Sequence, residues 1–91
     1  MRGPIRRRQK RDGNEREIIE RFRAFGASVH QGGPLDLIVG FYGRTGVVEV
    51  KAPGGKLTEA EALFLKDHKG FAAVVGDVAG VADVLDRLLR D

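Results

Sequence analysis

The chain contains no cysteine. Disulfides and thiolate metal sites are therefore excluded, and nothing argues for secretion. No apolar run approaches the ~20 residues that a membrane-spanning helix requires. The first residues are basic but have no apolar segment behind them, so they do not read as a signal peptide. The expectation is a cytoplasmic protein without a membrane partner. The first eleven residues also contain no acid. What remains is 91 residues, the size of one domain. A chain this short buries a modest fraction of its surface, so a homodimer is expected.

Charge is unevenly placed. Lys and Arg total 16 and Asp and Glu total 13, for a net charge of +3. Arg2, Arg6, Arg7, Arg8, Lys10 and Arg11 all precede the first acid, which leaves a mildly acidic body. Gly3, Pro4 and Gly13 interrupt this stretch, and it has no hydrophobic period. Residues 1–13 read as a basic arm, disordered or ordered only on binding. Such an arm either grips a polyanion, most often nucleic acid, or is a solvated tail.

From residue 14 onward a single α/β domain is expected. Asn14 suits a helix N-cap, and acids follow in the first turn. Ile18, Ile19, Phe22 and Phe25 recur at helical spacing, with Gly26 placed as a C-terminal cap. Glu15 falls on this apolar stripe, whereas Glu17 and Glu20 point outward. Glu15 either complements the helix dipole or serves a site. The dipole reading leaves its place on the buried stripe unexplained.

Three strand candidates follow, at 27–31, 35–42 and 45–51. Gly32, Gly33 and Pro34 separate the first two, and a turn over Gly43–Gly46 makes the last two an antiparallel hairpin. Both faces of the hairpin are largely apolar, so both are expected to be covered by helices or a partner. Ala52–Leu57 is a glycine-rich loop carrying Lys56. Thr58 and Glu61 match a capping box, followed by a helix burying Ala60, Leu63 and Phe64 and ending at Gly70. Phe71–Val75 reads as a buried strand. Asp77 caps a last helix whose apolar face is Val78, Val81, Leu85, Leu88 and Leu89, with Gly80 weakening its start. The order is αβββαβα, a central mixed sheet flanked by helices.

The hairpin carries the chemistry. Glu49 and Lys51 point to one face of an otherwise apolar strand, which is unfavourable unless they have a task there. Asp36 opens the neighbouring strand. Glu15, Asp36, Glu49 and Lys51 are expected to converge. Carboxylates at one point repel unless a cation sits among them, and oxygen ligands favour a hard ion such as Mg²⁺ or Mn²⁺. Such an ion suits phosphodiester hydrolysis. Lys51 either orients the attacking water or neutralises Glu49 and Asp36, and both roles are compatible.

Asp36, its apolar strand and Glu49-Val50-Lys51 resemble the PD-(D/E)xK nuclease motif. Pro34-Leu35-Asp36 departs from its Pro-Asp dipeptide by one residue. Asn14-Glu15-Arg16-Glu17 resembles the acidic helix of the archaeal-type Holliday junction resolvases in that superfamily. Gly55-Lys56-Leu57-Thr58-Glu59-Ala60-Glu61 is similar to the Lys-Leu-Thr-x-x-Gln stretch of the small VRR-NUC nucleases, with Glu61 where that pattern has Gln. The valine-arginine-arginine signature that names the VRR-NUC group has no obvious counterpart.

The resemblance covers residues 14–75. It implies a restriction-endonuclease-like fold and a Mg²⁺-dependent DNA endonuclease in DNA recombination, acting either on duplex DNA or selectively on branched DNA such as a Holliday junction. The cell would be bacterial, archaeal or phage-infected. By position, Glu15, Asp36, Glu49 and the backbone carbonyl of Val50 would hold the ion. Lys51, with Glu49 and Asp36, would be catalytic. Arg6, Arg7, Arg8, Lys10, Arg11 and Lys56 would contact DNA.

Other residues stay open at this level. His30 and Gln31 are either DNA contacts or packed strand-end residues. Lys56 is a phosphate contact or a solvated lysine. Arg16 either pairs with an acid or reaches DNA. His68 reads as structural, near a helix C-terminus. The rival class is a non-catalytic DNA-binding or architectural module, in which the acids serve as caps and ion pairs. A restriction-type or RNA-directed nuclease would use the same chemistry on another substrate.

Overall fold

The computed structural model describes residues 14–91. The arm, and the DNA contacts assigned to Arg6, Arg7, Arg8, Lys10 and Arg11, lie outside the described residues. A first helix, α1, runs through residues 14–24. Strands β1 (Ser28–Gln31), β2 (Leu37–Phe41) and β3 (Arg44–Val50) follow. Helix α2 (Glu59–Asp67), strand β4 (Phe71–Val75), a 3₁₀ turn (Val78–Gly80) and helix α3 (Val81–Arg90) complete the chain. The expected αβββαβα order is observed.

The four strands form one mixed sheet in the order β1-β2-β3-β4. The first three are antiparallel neighbours, and β4 lies parallel to β3. β3 is therefore central where it carries the site, paired on both sides. Alternation along the strands sorts the side chains onto two faces. Val29, Leu37, Val39, Val48, Val50, Ala73 and Val75 form one, and they share a core with α1 and α3. Ile18, Ile19 and Phe22 come from α1, and Val81, Val84 and Leu85 from α3.

Helix α1 ends as its sequence suggests. Gly26 has a φ of 98°, the left-handed conformation in which a Cβ is unfavourable. The Ala27 N–H reaches the Phe22 carbonyl and the Gly26 N–H the Arg23 carbonyl, which together form a Schellman motif. The start differs from expectation. Residue 14 is already helical, so Asn14 is not the N-cap. Phe25 lies past the last helical residue and is exposed rather than on the buried stripe.

The β2–β3 turn is tighter than expected. Phe41 pairs with Arg44, so Tyr42 and Gly43 alone make the turn, with φ of 50° and 79°. Positive φ at both positions is what a type I′ turn requires, and its twist matches the strands. Gly46 belongs to β3 instead. A Cβ there would stand 2.4 Å from the Phe71 ring of β4, so the glycine is a packing requirement.

Two helices also correct the reading. No residue of α2 is buried: Ala60 is exposed, Leu63 is 55% exposed and Phe64 is half-buried. Its capping box is present, however. The Glu61 N–H donates to the Thr58 hydroxyl at 3.1 Å, and the Thr58 N–H to the Glu61 carboxylate at 2.8 Å. Asp77 caps the 3₁₀ turn, accepting from the Gly80 N–H, and α3 proper begins at Val81. Its buried face includes Val84, while Leu89 is exposed.

Because α2 buries little, the sheet face opposite α1 and α3 is only partly covered. Ile38, Val47 and Ala72 are half-buried there, and Val74 is 40% exposed. No helix among the described residues is long and apolar enough to cross a membrane.

Candidate functional site

The site forms where β3 ends, on the partly covered face. Its geometry starts from strand alternation: Val48 and Val50 enter the core, so Glu49 and Lys51 project from the other side. Glu49 lies between β2 and β4 and is only 1% exposed. Burial in this position pushes its carboxyl up to about 7. The Glu61 carboxyl, close enough to share a proton with it, and the negative charge of Asp36 act in the same direction, while the Lys51 ammonium opposes them. Glu49 Oε2 is buried and has no hydrogen-bond partner among the described residues. Lys51 Nζ stands 3.4 Å from it, at ion-pair distance only.

Asp36 is fixed by the end of the β2–β3 pairing. β2 begins at Leu37, and the Asp36 carboxylate takes the place of a strand carbonyl, accepting the Val50 N–H at 2.9 Å. The loop before it closes through the Gly32 N–H and the Asp36 carbonyl, 2.8 Å apart. Gly32 and Gly33 have φ of 107° and 97° in that loop, which is why glycines stand there. The backbone of Val50 is thereby tied to Asp36, between the two residues of the motif that flank it.

Lys51 is anchored twice. Its backbone N–H donates to the Val75 carbonyl at 3.0 Å, continuing the parallel pairing one residue past the strand. Its ammonium sits 2.8 Å from Glu61 Oε1. That hydrogen bond raises the lysine above its usual range, with burial opposing it. The same bond is the main reason that the Glu61 carboxyl drops to about 2, against the effect of burial, with the Thr58 N–H assisting.

The structure thus brings together Asp36, Glu49 and Lys51 and adds Glu61. The sequence marks Glu61 as a capping residue and leaves a second role open. Its signal was the capping box itself, which places this carboxylate at the start of the helix that follows the motif. Glu15 is placed differently. It is buried, as its position on the apolar stripe suggests, and its Oε2 accepts from Gln31 Nε2 at 3.1 Å. Gln31 shares the α1 face of the sheet with Val29, and Glu49 and Lys51 project from the other. Among the described residues no three His, Asp or Glu side chains form a group that could hold a metal ion.

The other candidates are peripheral. His30 is exposed on β1, opposite Ile38 and on the same sheet face. Lys56 is exposed in the loop before α2, and Arg16 is exposed on α1. His68 ends α2: its N–H reaches the Phe64 carbonyl, and its ring stacks on Phe64 at 4.8 Å. Compared with protein-family models, with curated proteins and with solved structures, the chain matches none.

Proposed function

We propose that this chain is a metal-dependent DNA endonuclease with a restriction-endonuclease-like arrangement of its sheet. The observation that carries the reading is the meeting of Asp36, Glu49 and Lys51 at one end of β3, where Glu49 is almost fully buried. A carboxylate buried with an oxygen that accepts no hydrogen bond is unfavourable in a purely structural role. It fits a hard divalent cation, Mg²⁺ or Mn²⁺, whose charge offsets the burial and whose ligands are oxygens.

Asp36 and Glu49, with the Val50 carbonyl between motif residues, would hold this ion. Glu15 enters the proposal from the sequence pattern alone. When bound, the ion would supply Lewis-acid activation of water and of the scissile phosphate. Lys51, its ammonium 3.4 Å from Glu49 Oε2, would orient the attacking water and offset charge on the developing phosphorane. Asp36 holds the Val50 backbone and so fixes the end of the motif strand. Lys56, exposed in the neighbouring loop, would contact the DNA backbone, and the positive charge of residues 1–13 would add phosphate contacts. A two-fold dimer would present two such sites to a branched or two-stranded substrate.

The test is cleavage of plasmid and four-way-junction DNA with Mg²⁺, with Mn²⁺ and with EDTA. Cutting should require the metal, and Lys51→Ala should lower its rate by about 100-fold or more. Metal-independent cutting, or full activity of the variant, would sink the mechanism. Flaps, duplexes and RNA assayed alongside the junction identify the preferred substrate.

A further inference from the structure

Lys51 has two carboxylates to choose from. Its ammonium lies 2.8 Å from Glu61 Oε1 and 3.4 Å from Glu49 Oε2. The first is the closer contact and the second the looser one, by 0.6 Å. The difference has a structural origin. Glu61 Oε1 also accepts the Thr58 N–H at 2.8 Å, so the carboxylate is held rigidly by the first turn of α2. One oxygen therefore serves as helix cap and as anchor for the lysine. Glu49, in turn, keeps an oxygen that is buried and without a hydrogen bond.

We propose that Glu61 is a positioning residue that draws the Lys51 ammonium away from Glu49 and so leaves Glu49 Oε2 open for a divalent cation. The proposal rests on the nuclease reading for what binds Glu49, but not for where Lys51 sits. The physical argument is competition. An ammonium beside two carboxylates shares itself according to distance and rigidity. Remove Glu61, and among the described residues Glu49 is the remaining acid at ion-pair distance. The ammonium then closes on the oxygen that the cation needs, and the two cations compete for it. An amide can cap the helix equally well but attracts an ammonium less strongly than a carboxylate does.

Divalent binding is read by titration calorimetry with Mn²⁺ alone, without DNA. Glu61→Ala should weaken Mn²⁺ affinity roughly 10- to 100-fold, the usual effect of losing a partner that orients a ligand. Glu61→Gln should fall between it and the wild type. Thr58→Ala weakens the cap but leaves the Lys51–Glu61 pair, so its Mn²⁺ affinity should match the wild type. A field effect of the Glu61 charge, or direct ligation by it, is separated by a double-mutant cycle. With Lys51→Ala already in place there is no competitor, so adding Glu61→Ala should cost far less affinity than it does in the wild type.

A loss on adding Glu61→Ala to Lys51→Ala as large as the loss in the wild type overturns the proposal, as does a Thr58→Ala variant as weak as Glu61→Ala. A metal-free crystal structure of Glu61→Ala gives an independent reading. Lys51 Nζ should move to hydrogen-bond distance from Glu49 Oε2, and an ammonium that stays at its present separation overturns the proposal. If the wild type neither binds Mn²⁺ nor cleaves DNA, the nuclease reading fails, and this structure alone decides the placement of Lys51.

Discussion

At the scale of single residues, Glu49 is where sequence and environment conflict most. A carboxylate in a doubly paired strand has lost its water without gaining a hydrogen bond for Oε2. Its folded value of about 7 stands above the ordinary 4.5. Between these values the folded chain binds more protons than the unfolded one. The contribution of Glu49 to stability is therefore fully present below pH 4.5 and is lost as pH rises through about 7. Glu61 has the opposite sign, its contribution being present above 4.5 and lost as pH falls through about 2, outside this window. In EDTA, Glu49→Gln should remove the fall in stability that the wild type shows between pH 5 and pH 8. At pH 8 it should be the more stable protein. Urea unfolding of both proteins at the two pH values measures this, and an unchanged pH dependence would count against the burial argument.

At the scale of elements, local chemistry and tertiary packing divide the work. Helix α1 ends through a device written in sequence: Gly26 at a φ of 98°, in open space, with the Schellman bonds around it. Gly26→Ala should lower stability by about 1–2 kcal/mol, the penalty of a left-handed L-residue. A shift in the urea midpoint at unchanged slope would show it. The hairpin was legible from its apolar runs, but its turn was not. Gly43 and Gly46 looked like the two ends of one turn, whereas Gly46 is a strand residue that makes room for Phe71. That neighbour is on β4, 25 positions along the chain, and no local pattern points to it. Helix α2 shows the same limit from the other side. Its capping box was readable because it is a contact within four residues. Its burial was not, because burial depends on what lies beneath it.

At the scale of the whole molecule, one sheet face is filled by α1 and α3 while the other stays half-open around the site. The basic arm lies outside the described residues, but its charges are fixed by sequence. Six Lys and Arg precede the first acid. If they neutralise DNA phosphates, affinity should fall steeply with salt, and deletion of residues 1–13 should reduce the log–log slope by up to about 5. Fluorescence anisotropy on duplex and junction DNA across a salt series tests this, and equal slopes for the two proteins would exclude a phosphate-gripping arm.

The sequence by itself determined the order of elements, the alternation that puts Glu49 and Lys51 on one face, the glycine cap that ends α1 and the capping box that starts α2. These depend on residues near each other in the chain, where spacing is geometry. The tertiary structure decided which partners meet. It gave Glu15 to Gln31 and Glu61 to Lys51, though spacing along the chain suggested neither pair. Those choices depend on how α1 and α2 approach the sheet, and that is set by packing of the core rather than by the residues that make the bonds.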